Sequence, residues 1–271
     1  SALLRYAARA VVFHTAGIVS IACHNDDRVW QVNVEGTANL LAAARRAGVA
    51  RFVYVSSVHA IPEKPKGQVI CETEHFDPAQ VHGLYAKTKS AATASVLAAA
   101  RNGMDTVVVH PSGILGPWDW GHGHLTQLVV DYMTGRLTAC VRGGYDFVDV
   151  RDVALGMLGA AERGQGGQCY ILSGHYASVP ELLELLHQAT GRRRVRTVLP
   201  PGFAKLTAPL AEKWYKLHHQ PPLFTAYSLY TLETNASFSH EKATAAWGYA
   251  PRPLMQTLSD TAAWLAQQGR V

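Results

Sequence analysis

The sequence predicts an α/β protein in which helices cover both faces of a parallel sheet. Residues 11–13, 51–55 and 106–109 are continuous apolar runs of strand length, and segments of helical periodicity alternate with them. Strands buried on both faces lose the apolar–polar alternation of half-exposed strands, so these runs are typical of a parallel sheet between two helical layers. Ligands of such sheets bind at the carboxyl ends of the strands.

The first predicted strand and helix follow directly from the amino-terminal sequence. Residues 2–9 are typical of the end of an amphipathic helix, and residues 11–13 form a short strand whose turn runs from His14 to Gly17. Apolar side chains recur at helical spacing from about residue 32 to residue 47. Gly48 is a suitable helix stop.

Two further strands flank the longest predicted helix. Residues 51–55 are β-branched and aromatic, which favours a strand. An alanine-rich segment from about residue 84 to residue 100 predicts a long helix. The third buried strand covers residues 106–109 and ends at His110 and Pro111.

The second half of the chain is less regular. Ser178 is the predicted N-cap of a helix, with Glu181 as its capping-box partner. Residues 200–230 are rich in proline, leucine and aromatic side chains. The other predicted elements are a strand at residues 147–150, a helix at 153–162, a strand at 169–172 and a terminal helix at 254–267.

Composition and charge exclude several functional classes. The 271 residues are 48% hydrophobic and 17% charged, as expected of a globular enzyme. The net charge is +5, but the basic residues are scattered except for a cluster of arginines at positions 192–194 and 196. Because this cluster follows a predicted helix that ends at Gly191, we interpret it as a solvated helix end and predict no nucleic-acid partner.

Cysteine and histidine spacing predict neither disulfides nor metal. The four cysteines form no CxxC pair, so free thiols in a reducing, cytoplasmic compartment are expected. The pairs His122/His124 and His218/His219 lack carboxylates at ligand spacing, and no metal site is predicted. No apolar run reaches the roughly 18–20 residues of a membrane span, so no membrane partner is expected.

Tyr85 and Lys89 are four residues apart in the long predicted helix, which places both side chains on one face. Interconversion of a ketone and an alcohol requires a proton at oxygen whenever hydride moves at carbon. A tyrosine hydroxyl has an ordinary pKa near 10, and a nearby ammonium group lowers such a pKa. The pair therefore suits acid–base chemistry, although the spacing alone is equally typical of a solvated helix face.

Two serines end the strand at residues 51–55. Ser56 and Ser57 stand at its carboxyl end, where a hydroxyl can bond a substrate oxygen, or can simply satisfy turn backbone. This arrangement, followed by 27 intervening residues and then by Tyr85 and Lys89, is far more specific than either motif by itself.

At this point the chain resembles a known family. It is similar to the extended short-chain dehydrogenases/reductases of the NAD-dependent epimerase/dehydratase superfamily, and most similar to the dihydroflavonol-reductase and 3β-hydroxysteroid-dehydrogenase-like branch. The matching segments, in the family's order, are VVFHTAG at 11–17, NVEGT at 33–37, FVYVSS at 52–57, Tyr85 with Lys89, HPSGILGP at 110–117 and DFVDVRDV at 146–153.

The resemblance implies a Rossmann-like, doubly wound parallel sheet and a smaller, C-terminal mixed α/β substrate lobe. Residues 1–150 are expected to form the cofactor domain, to which residues 151–176 also contribute. Residues 177–271 are expected to form mainly the substrate lobe. The same resemblance implies an NAD(P)-dependent oxidoreductase.

The resemblance also implies residue roles. Tyr85 would be the general acid/base, Lys89 its activator and a ribose contact, and Ser57 would hold the substrate oxygen. Asp149 and the pair Arg151-Asp152 would brace the two lobes. The residues expected at the cofactor are Ala16, Gly17, Asn33, Val55, Ser56, Tyr85, Lys89, Pro111, Ser112, Gly113 and Ile114.

The sequence departs from the family pattern at its beginning. The family opens with a Gly-rich turn that places the pyrophosphate at a helix N-terminus, and no GxGxxG or GxxGxxG occurs in this chain. At about 30 residues per βα unit, roughly 60 residues would precede the chain. The choice between NAD and NADP therefore cannot be read, and the chain by itself is expected to bind either cofactor more weakly than a longer version.

Three functions stay open from the sequence. The first is interconversion of a secondary alcohol and a ketone, with an apolar or aromatic small molecule as substrate. The second is a nucleotide-sugar epimerase or dehydratase that retains NAD, and the third is a non-catalytic cofactor-sensing or binding module. A homodimer is compatible with each. The aromatic residues that favour an apolar pocket are Trp118, Trp120, Phe203, Trp214, Tyr215, Phe224, Tyr227 and Tyr230.

Overall fold

The structure, a computed structural model, describes residues 9–19, 26–121, 123–200 and 226–271. In chain order the described strands are β1 (Val11–His14), β2 (Arg51–Val55), β3 (Thr106–Pro111), β4 (Gly113–Leu115), β5 (Ala139–Val141), β6 (Gly144–Asp149), β7 (Cys169–Leu172), β8 (His175–Ser178) and β9 (Thr197–Leu199). The described helices are α1 (Asp27–Trp30), α2 (Gly36–Ala47), α3 (Leu84–Arg101), α4 (His124–Met133), α5 (Val150–Arg163), α6 (Val179–Thr190), α7 (Ala226–Glu233), α8 (Glu241–Trp247) and α9 (Leu254–Gln267).

The chain divides into two compact units. The first consists of Ser1–Ser112, Asp152–Ser173 and Phe238–Ala250. The second consists of Gly113–Arg151, Gly174–Ser237 and Pro251–Val271.

A four-stranded parallel sheet forms the centre of the first unit, in the order β1-β2-β3-β7. Val12 is in register with Phe52, and Phe52 in turn with Thr106. Further along β3, Val108 is in register with Cys169 of β7. The prediction that the three apolar runs are neighbouring parallel strands is therefore confirmed.

The helix after β1 begins earlier than the sequence pattern predicts. Asp26 caps it, because the Asp26 side chain accepts a hydrogen bond from the main-chain N–H of Arg28. The helix then passes through one π-helical turn at Gln31–Glu35 before continuing as α2. It ends as predicted at Gly48, whose φ of 65° is a left-handed conformation that suits glycine.

Helices α2 and α3 bury one face of this sheet. Phe52 and Tyr54, two residues apart in β2, point to the same side and are almost fully buried. Because strand side chains alternate, the two rings share one apolar cluster. Its other buried members are Leu41 and Ala44 of α2, Ala92, Val96 and Leu97 of α3, Val108 and Cys169.

The second unit has its own sheets and core. β6 pairs in parallel with β4 and antiparallel with β8, while β5 pairs in parallel with β9. The predicted capping box of α6 is present, with Ser178 and Glu181 bonded reciprocally. The largest buried apolar cluster of this unit includes Val129, Phe147, Leu182, Leu186, Leu258 and Leu265.

The predicted domain boundary at residue 150 differs from this division. Residues 113–151 belong to the second unit, because β4 and β6 pair with one another and with β8 rather than with the four-stranded sheet. The assignment of cofactor and substrate to separate units stays a prediction.

Two further sequence expectations concern the rest of the chain. Cys71, Cys140 and Cys169 are free cysteines. Throughout the described ranges, no helix is both long and apolar enough to cross a membrane. The predicted helix at residues 2–9 lies outside the described residues, apart from Arg9.

Candidate active site

Ser57 lies immediately after β2, at the carboxyl end of the parallel sheet. Its side chain is buried and caps a short 3-10 turn, Val58–Ala60, by accepting a hydrogen bond of 3.2 Å from the main-chain N–H of His59. Since Oγ accepts this bond, the hydroxyl hydrogen of Ser57 remains available to donate to another group.

Tyr85 stands in the first turn of α3 and meets Ser57. Its half-buried ring contacts the imidazole of His59 edge-on, with 6.2 Å between the ring centroids. Burial raises the pKa of Tyr85 to about 12, and the nearby Ser57 side chain acts in the opposite direction. The structure thus brings Ser57 and Tyr85 close together across 28 positions of the sequence.

Lys89 is one helical turn further along α3 and is almost completely buried. Its Nζ donates to the carbonyl oxygen of Val55 at 2.9 Å and lies 5.1 Å from the centre of the Tyr54 ring. Burial lowers the pKa of Lys89 to about 8. Lys89 is not among the groups that shift the pKa of Tyr85, which burial raises, so the activation of Tyr85 by Lys89 stays a prediction.

Asn33 connects this helix to the turn after β1. Its side-chain oxygen accepts from the main-chain N–H of Ile18 at 2.8 Å, and its Nδ2 donates to the Ile18 carbonyl at 3.0 Å. Nδ2 also donates to Thr88 Oγ1 at 3.1 Å, and Thr88 in turn donates to the carbonyl of Tyr85. Asn33 lies in the π-helical turn, a feature that often occurs at functional sites.

Gly17 lies against the same two polar side chains. A Cβ atom built on Gly17 would be 3.2 Å from Asn33 Oδ1 and 3.3 Å from Lys89 Nζ. The absence of a side chain therefore lets the backbone of this turn approach both groups. Neighbouring Ala16 is exposed, and its contact with the cofactor stays a prediction.

The hydroxyl of Ser56 is used inside the protein. It lies 2.7 Å from Thr93 Oγ1, and Thr93 donates its own hydrogen to the carbonyl of Lys89. Ser56 must then be the donor to Thr93, so this serine ties β2 to α3. A cofactor contact of Val55 and Ser56 stays a prediction, since the Val55 carbonyl is also bonded within the protein, to Lys89.

The predicted segment 111–114 is divided between the units. Pro111 and Ser112 end the β3 region of the first unit, where the buried Ser112 hydroxyl has no hydrogen-bond partner among the described residues. Gly113 and Ile114 belong to the second unit, in β4. An added Cβ at Gly113 would lie 2.9 Å from the Asp146 carbonyl, so strand pairing explains this glycine.

The first-unit groups fit a ligand that carries hydroxyl and amide groups. Lys89 has three N–H donors, of which one is bonded to Val55. The buried Ser112 hydroxyl, unpartnered among the described residues, and the open backbone at Gly17 are further polar groups at the carboxyl end of the sheet. These features match the ribose and nicotinamide portions of a dinucleotide, whose sites lie at such sheet edges.

Sequence reasoning missed the buried histidine below this site. Nε2 of His14 lies 2.9 Å from Thr37 Oγ1, and Thr37 donates to the carbonyl of Asn33 at 2.7 Å. Burial lowers the pKa of His14 to about 4, so the ring is neutral and its Nε2–H donates to Thr37. His14 was expected only to begin a turn, and the sequence contains no signal for its partner 23 positions away.

Two of the residues expected to brace the lobes, Asp149 and Arg151, form ion pairs within the second unit, whereas the third, Asp152, belongs to the first unit. Arg151 binds Asp149 and Asp260 at 2.7 Å each, and Arg252 lies 3.7 Å from Asp149. Burial raises the pKa of Asp149, but the hydrogen bonds and charge of Arg151 lower it by more, so the carboxylate stays ionised. These contacts tie the end of β6 to α9, and bracing between the units stays a prediction.

Several of the histidine and aromatic candidates lie outside the residues that the structure describes. Of the histidine pairs, His122, His218 and His219 are outside the described residues, as are Phe203, Trp214, Tyr215 and Phe224. Within the described ranges, no group of three or more histidine, cysteine, aspartate or glutamate side chains could hold a metal ion.

Comparison with known proteins identifies the class defined by this fold and site. The model of the "NAD dependent epimerase/dehydratase family" matches residues 2–172. The chain belongs to this family, within the extended short-chain dehydrogenases/reductases. It is an oxidoreductase, and its cofactor is NAD or NADP.

Individual relatives are similar along most of the chain. Sterol demethylase protein B of Methylococcus capsulatus is 31% identical over 266 residues, covering 96% of this chain and 80% of the relative. A putative dihydroflavonol 4-reductase of Synechocystis is 31% identical over 269 residues, covering 96% and 77%. The crystal structure of gox2253 superposes with a TM-score of 0.83 at 31% identity, covering 98% of this chain and 81% of that one.

Proposed function

We propose that the chain reduces a ketone to a secondary alcohol, or catalyses the reverse reaction, on an apolar or aromatic small molecule. The proximity of the Ser57 and Tyr85 side chains carries this proposal, because one substrate oxygen can bond to both hydroxyl groups. The names of the relatives support the substrate class, since they include a dihydroflavonol reductase and 3β-hydroxysteroid dehydrogenases.

Each residue of the proposed site has a distinct task. When bound, a nicotinamide cofactor would supply or accept the hydride at the substrate carbon. Tyr85 donates the proton to the carbonyl oxygen, and Ser57 holds that oxygen by donating its available hydroxyl hydrogen. Lys89 holds a ribose hydroxyl and adds positive charge near Tyr85. Asn33 and Gly17 hold the β1 turn beside these groups.

The protonated form of Tyr85 suits the proton-donating step of ketone reduction. With its pKa raised to about 12 by burial, the tyrosine is protonated at neutral pH and can donate a proton without prior ionisation. Oxidation of an alcohol would require Tyr85 to lose its proton first, so it should accelerate more strongly as the pH rises.

Substrate probes separate this proposal from the alternatives. We expect NADH or NADPH to be consumed in stoichiometric amounts with a dihydroflavonol or a 3-oxosteroid. With UDP-glucose, we expect no such consumption. Epimerisation of UDP-glucose by protein that retains NAD through purification would favour the nucleotide-sugar function. A likeness to UDP-glucose 4-epimerase of Thermotoga maritima, at 20% identity and a TM-score of 0.73, shows the fold alone.

Two variants test the assigned residues. Tyr85→Phe keeps the ring packed against His59 but should lower kcat about 100-fold or more, since general acid catalysis is lost. Lys89→Met should weaken cofactor binding, whereas Lys87→Met, an exposed position on the same helix, is the matched control and should have no effect. Undiminished turnover by Tyr85→Phe would refute the proposal.

Location and assembly are part of the same proposal. The three free cysteines of the described chain support a cytoplasmic enzyme, because exported proteins more often pair their thiols. A homodimer is proposed on the sequence resemblance alone, and sedimentation velocity would test it.

A further inference from the structure

His110 is completely buried at the end of β3 and is bonded to the main chain of Ser57. Its Nδ1 lies 2.9 Å from the Ser57 carbonyl oxygen. A carbonyl can only accept, so Nδ1 carries the hydrogen. The ring stacks face to face on Phe76, with 5.3 Å between centroids and 5° between planes.

The hydrogen bond between His110 and the Ser57 carbonyl lies just beyond the point where main-chain pairing between β2 and β3 ends. The N–H of Ser56 still donates to the Val109 carbonyl at 2.8 Å. Beyond the end of β2, the carbonyl of Ser57 accepts from the main-chain N–H of Ala60 at 3.0 Å and from the His110 side chain. The two bonds fix the peptide plane after Ser57, and with it the direction in which the serine side chain leaves the backbone.

The other ring nitrogen indicates a role beyond packing on Phe76. Among the residues that the structure describes, Nε2 of His110 is buried and has no hydrogen-bond partner. A buried acceptor without a partner reduces stability, and an apolar side chain of similar size would fill the space without that cost. Burial, with the nearby charges of Lys89 and Lys242, also lowers the pKa of His110 to about 4, so the ring is neutral and the tautomer stays the same near neutral pH.

We propose that His110 is a positioning residue for Ser57, holding the serine through its carbonyl so that the hydroxyl stays directed at the substrate oxygen. The inference rests on the proposed function, because it requires Ser57 to contact the substrate. His110 itself touches neither the substrate nor the cofactor in this scheme.

Two amide variants separate positioning from packing. Asn places its amide nitrogen near the position of Nδ1, whereas Gln places it near Nε2. The assay uses whichever ketone, a dihydroflavonol or a 3-oxosteroid, the unmodified enzyme reduces faster. His110→Asn should keep kcat within about threefold of the unmodified enzyme. His110→Gln should lower kcat about 10- to 100-fold, because it misplaces Ser57. The KM for the nicotinamide cofactor should change little in both. Equal losses in the two variants would overturn the inference.

A double variant tests whether the effect passes through the serine. In a Ser57→Ala background, adding His110→Gln should lower kcat by a further factor of less than about two. The reason is that the energetic effects of two coupled residues are not additive. Multiplied losses would show an independent structural role. If Ser57→Ala lowers kcat but His110→Gln does not, only this inference fails. If Ser57→Ala keeps full activity, the proposed role of Ser57 fails and the inference fails with it.

A spectroscopic measurement decides the point without any substrate. Nitrogen–proton NMR correlations of the histidine rings, assigned with His110→Asn, should show a neutral His110 ring with the hydrogen on Nδ1 at neutral pH. A hydrogen on Nε2, or a charged ring, would overturn the inference irrespective of activity.

Discussion

Replacing Asn33 by alanine removes the side chain that joins the turn after β1 to helix α3. Three hydrogen bonds disappear, two with the main chain of Ile18 and one with Thr88. Asn33 itself is almost fully buried, so a small cavity also remains.

The expected loss of stability follows from these contacts. A neutral hydrogen bond contributes about 0.5–1.5 kcal/mol, so the three bonds amount to about 1.5–4.5 kcal/mol. Ile18 is only half-buried, and water can replace part of its lost bonding. We therefore expect Asn33→Ala to lower the free energy of unfolding by about 2–3 kcal/mol.

Urea denaturation measures this change, and calorimetric titration with NADH and NADPH measures its effect on binding. Asn102→Ala is the matched control, because the Asn102 side chain makes one exposed bond, to the Ala98 carbonyl, and should cost less than about 0.5 kcal/mol. A loss for Asn33→Ala as small as that of the control would refute the reasoning. It would mean that the turn is held by contacts other than the amide.

Three other predictions follow from buried or crowded groups. Because burial lowers the pKa of His14 and His110 from 6.5 to about 4, the unfolded chain binds more protons between these values. Stability should therefore fall from pH 7 to about 5, by on the order of 1–2 kcal/mol per histidine; urea titrations showing equal stability at both pH values would contradict this. Gly17→Ala should weaken cofactor binding about tenfold by calorimetry, since the new methyl group would lie 3.2 Å and 3.3 Å from two polar side chains; unchanged affinity would show that the turn can shift. Arg151→Leu should destabilise the protein by about 3 kcal/mol in urea, because it leaves the fully buried Asp149 carboxylate with its weaker partners; a change below about 1 kcal/mol would show that those partners suffice.

Local patterns were enough for most of the first unit. β2 begins and ends as the β-branched run at residues 51–55 predicts, and α3 differs from its prediction by one residue. The capping box of Ser178 and Glu181 was also readable, since all its atoms lie within one helical turn. In the second unit, the short strands β5, β8 and β9 were not predicted, because runs of three or four residues carry too little periodicity. The ten-residue helix α4 was also not predicted.

The candidate site was predicted in part. Ser57, Tyr85 and Lys89 could be selected because their spacing relative to a strand and a helix is a sequence property. The hydrogen bond between Ser56 and Thr93 could not be predicted from the sequence. It joins Ser56 to α3, a structural role that the motif does not suggest. The raised pKa of Tyr85 was equally hidden, because it depends on how completely the folded chain excludes water from the ring.

By itself, the sequence determined the parallel strands, the helices beside them and the residues with the right chemistry for proton transfer. Only the tertiary structure decided that residues 113–151 join the second unit, that Asn33 holds the turn at Ile18, and that His110 binds the carbonyl of Ser57. The physical reason is the range of the interactions. Periodicity and capping act within one or two turns of chain, whereas the partner of a strand edge or of a buried polar atom is set by which distant segments the fold brings within about 3 Å.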